Sequence, residues 1–188
     1  MEREMDLRGK EAVSLSSLVK QEYQIPDSYY FGEVKRGLRN SDGTGVLIGV
    51  TKVGSVQGYL IEDGRRIPVP GKLYYRGIDL NEIVEAHRKS GTFGYEEVAY
   101  LLLMGHLPTK SELSYFNDIM CRARKLPEGF TEGMIMRHPS RDIMNDLARS
   151  VLLLYSYDEN PDDISAENLL TQSIKLIGSF PAIVANAY

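Results

Sequence analysis

Apolar residues recur at three- and four-residue spacing through most of the second half of this chain, and that rhythm predicts helices. After Thr109, the positions Leu113, Phe116, Ile119, Met120 and Ala123 share one face. After Ser140, the residues Ile143, Met144, Leu147, Ala148, Val151, Leu152 and Tyr155 predict a helix over about 140–156, with Ser140 as its N-cap. Leu169, Leu170, Ile174, Ile177 and Phe180 line another helix that begins near Ser165. Local punctuation agrees with this pattern. Asp79-Leu-Asn-Glu82 and Thr109-Lys-Ser-Glu112 both have the capping-box form, in which a side-chain oxygen and a glutamate three residues later satisfy amides at a helix start. A helix from Tyr95 to Met104 is stopped by Gly105 and Pro108. Pro181 predicts a kink rather than an end, because Ala182 to Tyr188 resumes a helix-compatible pattern. With no capping glycine or polar tail there, this helix is expected to continue past Tyr188.

The period changes between Gly37 and Gly77. Glycine becomes frequent, and Val46 to Thr51 and Gly58 to Ile61 read as short strands. Asp63-Gly64 sits between two extendable runs, Gln57–Ile61 and Arg66–Val69, which predicts a small β-hairpin region at about 45–76. Pro68 and Pro70 place the second strand at an edge. Residues 1–36 read as helical in two pieces. Leu15, Leu18 and Val19 form an apolar patch, Gln24-Ile25-Pro26 breaks the pattern, and Ser28 to Arg36 makes a short helix. The chain thus divides into an N-terminal helical segment (1–36), a glycine-rich hairpin segment (37–77) and a helical part (78–188), and its fold class is mainly α.

Composition narrows the function. In 188 residues, 43% are hydrophobic and 26% charged, which is globular rather than disordered. The net charge of -4, with scattered Lys and Arg, offers no stripe for a nucleic-acid backbone. Cys121 is the only cysteine, so no internal disulfide forms and a reducing, cytoplasmic location is expected. The charged N-terminus lacks the apolar core of a signal peptide, and the longest apolar run, Val98 to Met104, is too short to span a bilayer.

Candidate chemistry is sparse. Gly43, Gly45 and Gly49 do not form a dinucleotide-binding loop, because Ile48 stands three residues after Gly45. Pro70-Gly71-Lys72 resembles the end of a phosphate loop, but Arg66 replaces the upstream glycine and Leu73 the hydroxyl that holds magnesium. Asp158, Asn160 and Asp162 imitate a calcium loop until Asp163 and Leu169 fall where glycine and glutamate belong. Cys121, His87, His106 and His138 share none of the paired spacings of a zinc site. Cys121 lies on or beside the apolar face of its helix, where thiols pack inertly. Arg76, in Tyr74-Tyr75-Arg76-Gly77, reads as a structural hydrogen-bonding arginine at a strand-to-helix junction, with ligand contact as the alternative.

Gly37-Leu-Arg, Asp42-Gly-Thr-Gly-Val46, Gly71-Lys-Leu-Tyr-Tyr-Arg-Gly77, Tyr95-Glu-Glu-Val-Ala-Tyr-Leu-Leu102, Gly105-His-Leu-Pro-Thr109, His138-Pro139 and Ile177-Gly-Ser-Phe-Pro-Ala-Ile-Val184 occur in an order that resembles the N-terminal half of citrate synthases. The similarity covers roughly residues 35 to 188 and extends equally to bacterial 2-methylcitrate synthases. One departure is Ser140, where the family often has Met after His-Pro. The resemblance implies a multihelical large domain and, in the full-length enzyme, condensation of acetyl-CoA with oxaloacetate, a step of the tricarboxylic acid cycle. That reaction needs a carboxylate base, two histidines and carboxylate-binding arginines. The family takes these from later motifs, a Glu-His-x-x-Asn context and a late Asp, that are absent from this sequence. No catalytic, cofactor-binding or metal residue is therefore assigned, no cofactor beyond the co-substrate acetyl-CoA is implied, and the chain alone is expected to be inactive. The resemblance also implies a homodimer through the helices near 140–156 and 165–188. A helical oligomerisation module without catalysis is the alternative reading.

Overall fold

The computed structural model describes residues 15–17, 19, 26, 44, 45 and 50–188. The expected helix at Ser28 to Arg36 and the expected strand residues Val46 to Gly49 lie outside them, as do most of the glycines at 37–49. The chain forms two compact units, Val19–Leu107 and Met1–Leu18 with Pro108–Tyr188.

In the first unit, β1 (Gly54–Glu62), β2 (Arg65–Tyr75) and β3 (Ile78–Asp79) form an antiparallel sheet in that order. Each connection is a two-residue turn with two positive φ angles, which matches the right-handed twist of the flanking strands. Asp63 and Gly64 (φ 48° and 71°) make the first, as the Asp-Gly pair predicts, and Arg76 and Gly77 (φ 49° and 84°) make the second. The Arg-Gly turn is absent from the sequence reading, which took Arg76 for a strand-to-helix junction. A two-residue strand intervenes before the helix.

The β1–β2 register runs from Gly54↔Tyr75 to Gln57↔Lys72, then resumes at Tyr59↔Pro68. Gly58 is thereby left opposite Val69, Pro70 and Gly71, a bulge that absorbs a proline without a ladder donor. β3 pairs only with Tyr74 and Tyr75, so β2 has one neighbour where the prolines sit. The edge expectation holds for that stretch, although the C-terminal end of β2 is the centre of the sheet. Helices α1 (Leu80–Ser90) and α2 (Tyr95–Met104) follow. Asp79 caps α1 by accepting from the Asn81 amide, and Gly91 and Gly105 end the two helices in left-handed conformation.

The second unit contains α3 (Lys110–Ala123), a π-helical turn (Thr131–Met136), α4 (Ile143–Leu154), a 3-10 turn (Tyr155–Tyr157) and α5 (Ala166–Ala187). Thr109 and Glu112 close the full reciprocal capping box. Phe116, Ile119, Met120 and Ala123 are buried, as their spacing predicts. Phe130, Ile135 and Ile183 form a core against which Leu126, Met134, Leu147, Leu153, Leu154 and Ala187 pack. Ser165 caps α5, which passes through Pro181 and runs to Ala187. Near the N-terminus, Leu15 to Ser17 are helical and Leu15 is buried.

Three further expectations need correction. Ser140 is not the N-cap of α4: its Oγ accepts from the Asp142 amide, and Asp142 then caps the helix by accepting from Met144. The hydroxyl stabilises the turn before the helix, and the first helical residue moves to Ile143. The apolar face of α4 is also misread, because Met144, Leu152 and Tyr155 are exposed whereas Asp146 and Ser150 are buried. Apolar residues occupy two sides of this helix, so periodicity alone does not choose the inward one; an Arg149 ion pair permits the carboxylate to turn inward. Finally, Cys121 is exposed rather than packed, beside the buried face of α3 and not on it.

Candidate functional site

Arg76 occupies the most constrained place of any residue singled out for chemistry. A left-handed backbone is uncommon for a side chain with a Cβ and costs about 1 kcal/mol. Two bonds hold it there. The Arg76 amide donates to the Val53 carbonyl at 2.9 Å, and a guanidinium Nη2 donates to the Leu102 carbonyl at 2.7 Å. Leu102 belongs to the last turn of α2, where carbonyls lack intrahelical donors, so a cation there satisfies an acceptor and complements the helix dipole. Arg76 is thus a fastener between the sheet's second turn and α2, in agreement with the structural reading.

The neighbouring Gly71 and Lys72 lie within β2 rather than in a loop before a helix, so they do not build a phosphate cradle. Lys72 Nζ is 3.6 Å from Asp79 Oδ2 and 6.0 Å from the centre of the Tyr74 ring. Tyr74, then Asp79, push the ammonium above its ordinary value.

The histidines serve separate local structures. His87, in the last turn of α1, has Nδ1 2.8 Å from Thr92 Oγ1 and Nε2 3.5 Å from Glu97 Oε1. His106 is exposed, its ring edge-on to Tyr100 at 5.5 Å. His138 is exposed, and its carbonyl accepts from Arg149 at 2.7 Å. Cys121 stands exposed on α3. Among the described residues, no group of three or more His, Cys, Asp and Glu side chains is arranged to hold a metal ion.

The acidic loop is turned onto itself. Asp158 Oδ1 accepts from the Asn160 amide, Asp163 Oδ1 from the Ser165 amide, and Asp162 Oδ1 from the Tyr155 hydroxyl. Gln172 donates to Asp158 Oδ2, and Asn168 spans the loop by donating to the carbonyls of Asn160 and Asp163. These carboxylates organise the chain between α4 and α5, as Asx turns do. The Tyr155 phenol is pushed above its ordinary value, chiefly by its hydrogen bond to Asp162.

The polar group that sequence reading misses is on α4. Asp146, buried, pairs with Arg149 one turn later, and Arg149 also reaches the His138 carbonyl. Asp and Arg three apart on a helix are the available signal, but that spacing is far commoner on exposed faces.

These elements define a mainly helical protein with a small antiparallel sheet and locally engaged polar residues. Comparison with known proteins gives the class its name. The family model described as "Citrate synthase, C-terminal domain" matches residues 42–188, and the chain belongs to the citrate synthase family, a family of acyltransferases. It is 28% identical over 158 residues to a citrate synthase of Haloferax volcanii, covering 82% of this chain and 36% of that protein. It is 29% identical over 117 residues to a citrate/2-methylcitrate synthase of Bacillus subtilis, covering 62% of this chain and 30% of that protein. The crystal structure of citrate synthase from Pyrobaculum aerophilum superposes with a TM-score of 0.59 at 28% identity, covering 84% of this chain and 40% of that one. The chain therefore spans about a third of the length of these relatives. No helix among the described residues is long and apolar enough to cross a membrane.

Proposed function

We propose that this chain is the N-terminal portion of the large domain of a cytoplasmic citrate synthase, which condenses acetyl-CoA with oxaloacetate to give citrate and CoA. The observation that carries the reading is the family match over residues 42–188, supported by the superposition on a citrate synthase structure. The reaction requires a carboxylate to take a weakly acidic proton from the thioester methyl while histidines polarise the thioester and ketone oxygens. Here the His87 ring meets Thr92, the exposed His106 ring lies edge-on to Tyr100, His138 is exposed with only its backbone carbonyl bonded by Arg149, and the acidic side chains of 158–163 organise a turn. The 188 residues by themselves are accordingly proposed to be inactive, with acetyl-CoA as co-substrate of the full-length enzyme and no cofactor.

The same reading includes a homodimer through α4 and α5. Met144 and Leu152 on α4, and Phe180 and Val184 on α5, are exposed apolar residues at helical spacing on these helices. Sedimentation over a wide concentration range tests this, and a monomer throughout would contradict it.

The Bacillus subtilis relative carries both activities in its name, which keeps 2-methylcitrate synthesis as a second reading. Thiol release by the full product of this reading frame, with acetyl-CoA and propionyl-CoA in turn, separates the two. Faster turnover of acetyl-CoA supports the proposal, and faster turnover of propionyl-CoA supports the second reading. Silence with both points to a non-catalytic helical module.

A further inference from the structure

The corner between α1 and α2 places a histidine where a proton changes what holds the turn together. His87 follows Ile83 by four residues and so shares its inward face, but it stands in the last turn of α1. Its ring is confined from two directions. Thr92 Oγ1 lies 2.8 Å from Nδ1 and is itself 2.7 Å from Ser90 Oγ. Gly94, the N-cap of α2, approaches so closely that a Cβ there would fall 2.6 Å from Nε2. The His87 carbonyl meanwhile accepts from the Thr92 amide, and the Gly91 amide also donates to it. The end of α1 is thus fastened through His87, and the start of α2 lies close against its ring.

Nε2 is buried and makes no hydrogen bond, and the nearest charged group is Glu97 Oε1 at 3.5 Å, in the first turn of α2. The other charges nearby are occupied. On α1 itself, Arg88 forks onto Glu85 and Lys89 also lies beside Glu85. On the strands that α1 packs against, Lys72 pairs with Asp79 and Arg76 bonds the Leu102 carbonyl. Glu96 stands next to Glu97 in the same first turn.

We propose that this corner is a proton-operated clasp. A neutral ring carries one N–H, so it can donate toward Thr92 or toward Glu97 but not toward both. A second ring proton taken from solvent lets both nitrogens donate and turns the Glu97 contact into an ion pair, and the negative end of α1 favours the same charge. The clasp is tightest with the second proton on the ring and loosens when that proton leaves, releasing the Gly91–Gly94 turn.

Amide hydrogen exchange over residues 91–98, corrected for the intrinsic effect of pH, reads the opening directly. Between about pH 8 and about pH 5.5, local opening of the wild-type chain should become about two- to fivefold rarer, the scale of a partly exposed ion pair. Glu97→Gln should abolish that difference while the amides of α3, as an internal reference, stay unchanged. His87→Gln, which cannot charge, should be equally flat. A wild-type corner indifferent to pH, or a pH response that survives Glu97→Gln, would overturn the proposal.

Discussion

Gly178 on α5 faces Ala123 on α3 with no room for a side chain: a Cβ at Gly178 would meet the Ala123 Cβ and come within 3.1 Å of the Ala123 carbonyl carbon. The first obstacle is the Ala123 Cβ, which has no rotamer to turn away, and the Ala123 backbone stands just behind it, so neither helix can yield by rotating a side chain. Gly178→Ala gains about 1 kcal/mol of helix propensity but overpacks a closed contact, which costs about 1–3 kcal/mol. A larger residue cannot fit at all. Gly178→Val should therefore destabilise the unit by more than Gly178→Ala, and Ala123→Gly should partly rescue Gly178→Val. Urea denaturation of the four variants as a double-mutant cycle measures the coupling, and additive effects would contradict the contact.

The core beneath α5 makes a second prediction. Ile183 is fully buried against Phe130 and Ile135. Truncation to alanine leaves a cavity bounded by a helix and a π-helical turn, and should cost about 2–5 kcal/mol. Lys175, exposed on the same helix, should tolerate alanine with a change within about 0.5 kcal/mol.

Capping at α4 distinguishes two adjacent polar residues. Asp142→Ala removes the acceptor for the Met144 amide and should destabilise the chain by about 1 kcal/mol. Ser140→Ala removes only a turn bond to the Asp142 amide and should cost less. The reverse order in thermal or urea unfolding would restore Ser140 as the cap.

The Tyr155 hydroxyl donates to Asp162 at 3.0 Å, and this bond raises the phenol above its ordinary value of 10.0. Ionisation would place a phenolate against a carboxylate. The contribution to stability is complete below the unfolded value and is lost as pH rises through the higher folded value. Carbon-13 labelling of tyrosine at Cζ should show one ring titrating late, and Asp162→Ala should bring that ring down toward the others.

How much of this was legible in the sequence depends on how local the cause is. The Asp63-Gly64 turn, the Tyr95 to Met104 helix and the Thr109 capping box are set by neighbours within four residues, and all stand as the pattern predicts. The Arg76-Gly77 turn is different, because arginine takes a left-handed backbone only with distant support from Val53 and Leu102. The inward face of α4 likewise depends on which side Arg149 and the Phe130 core reach, and apolar residues on both sides hide that choice. Of the candidate chemistry, the structural role of Arg76 was readable from its setting, whereas the exposure of Cys121 turned on a rotation of about one residue around α3.

The proposal that this chain belongs to a working citrate synthase, and is silent by itself, is tested most directly by thiol release from acetyl-CoA with oxaloacetate. The 188-residue chain should be measured beside the full product of its reading frame. Activity in the full product, with none in the 188 residues, is the predicted result. Turnover by the 188 residues alone, or by neither protein, would contradict it.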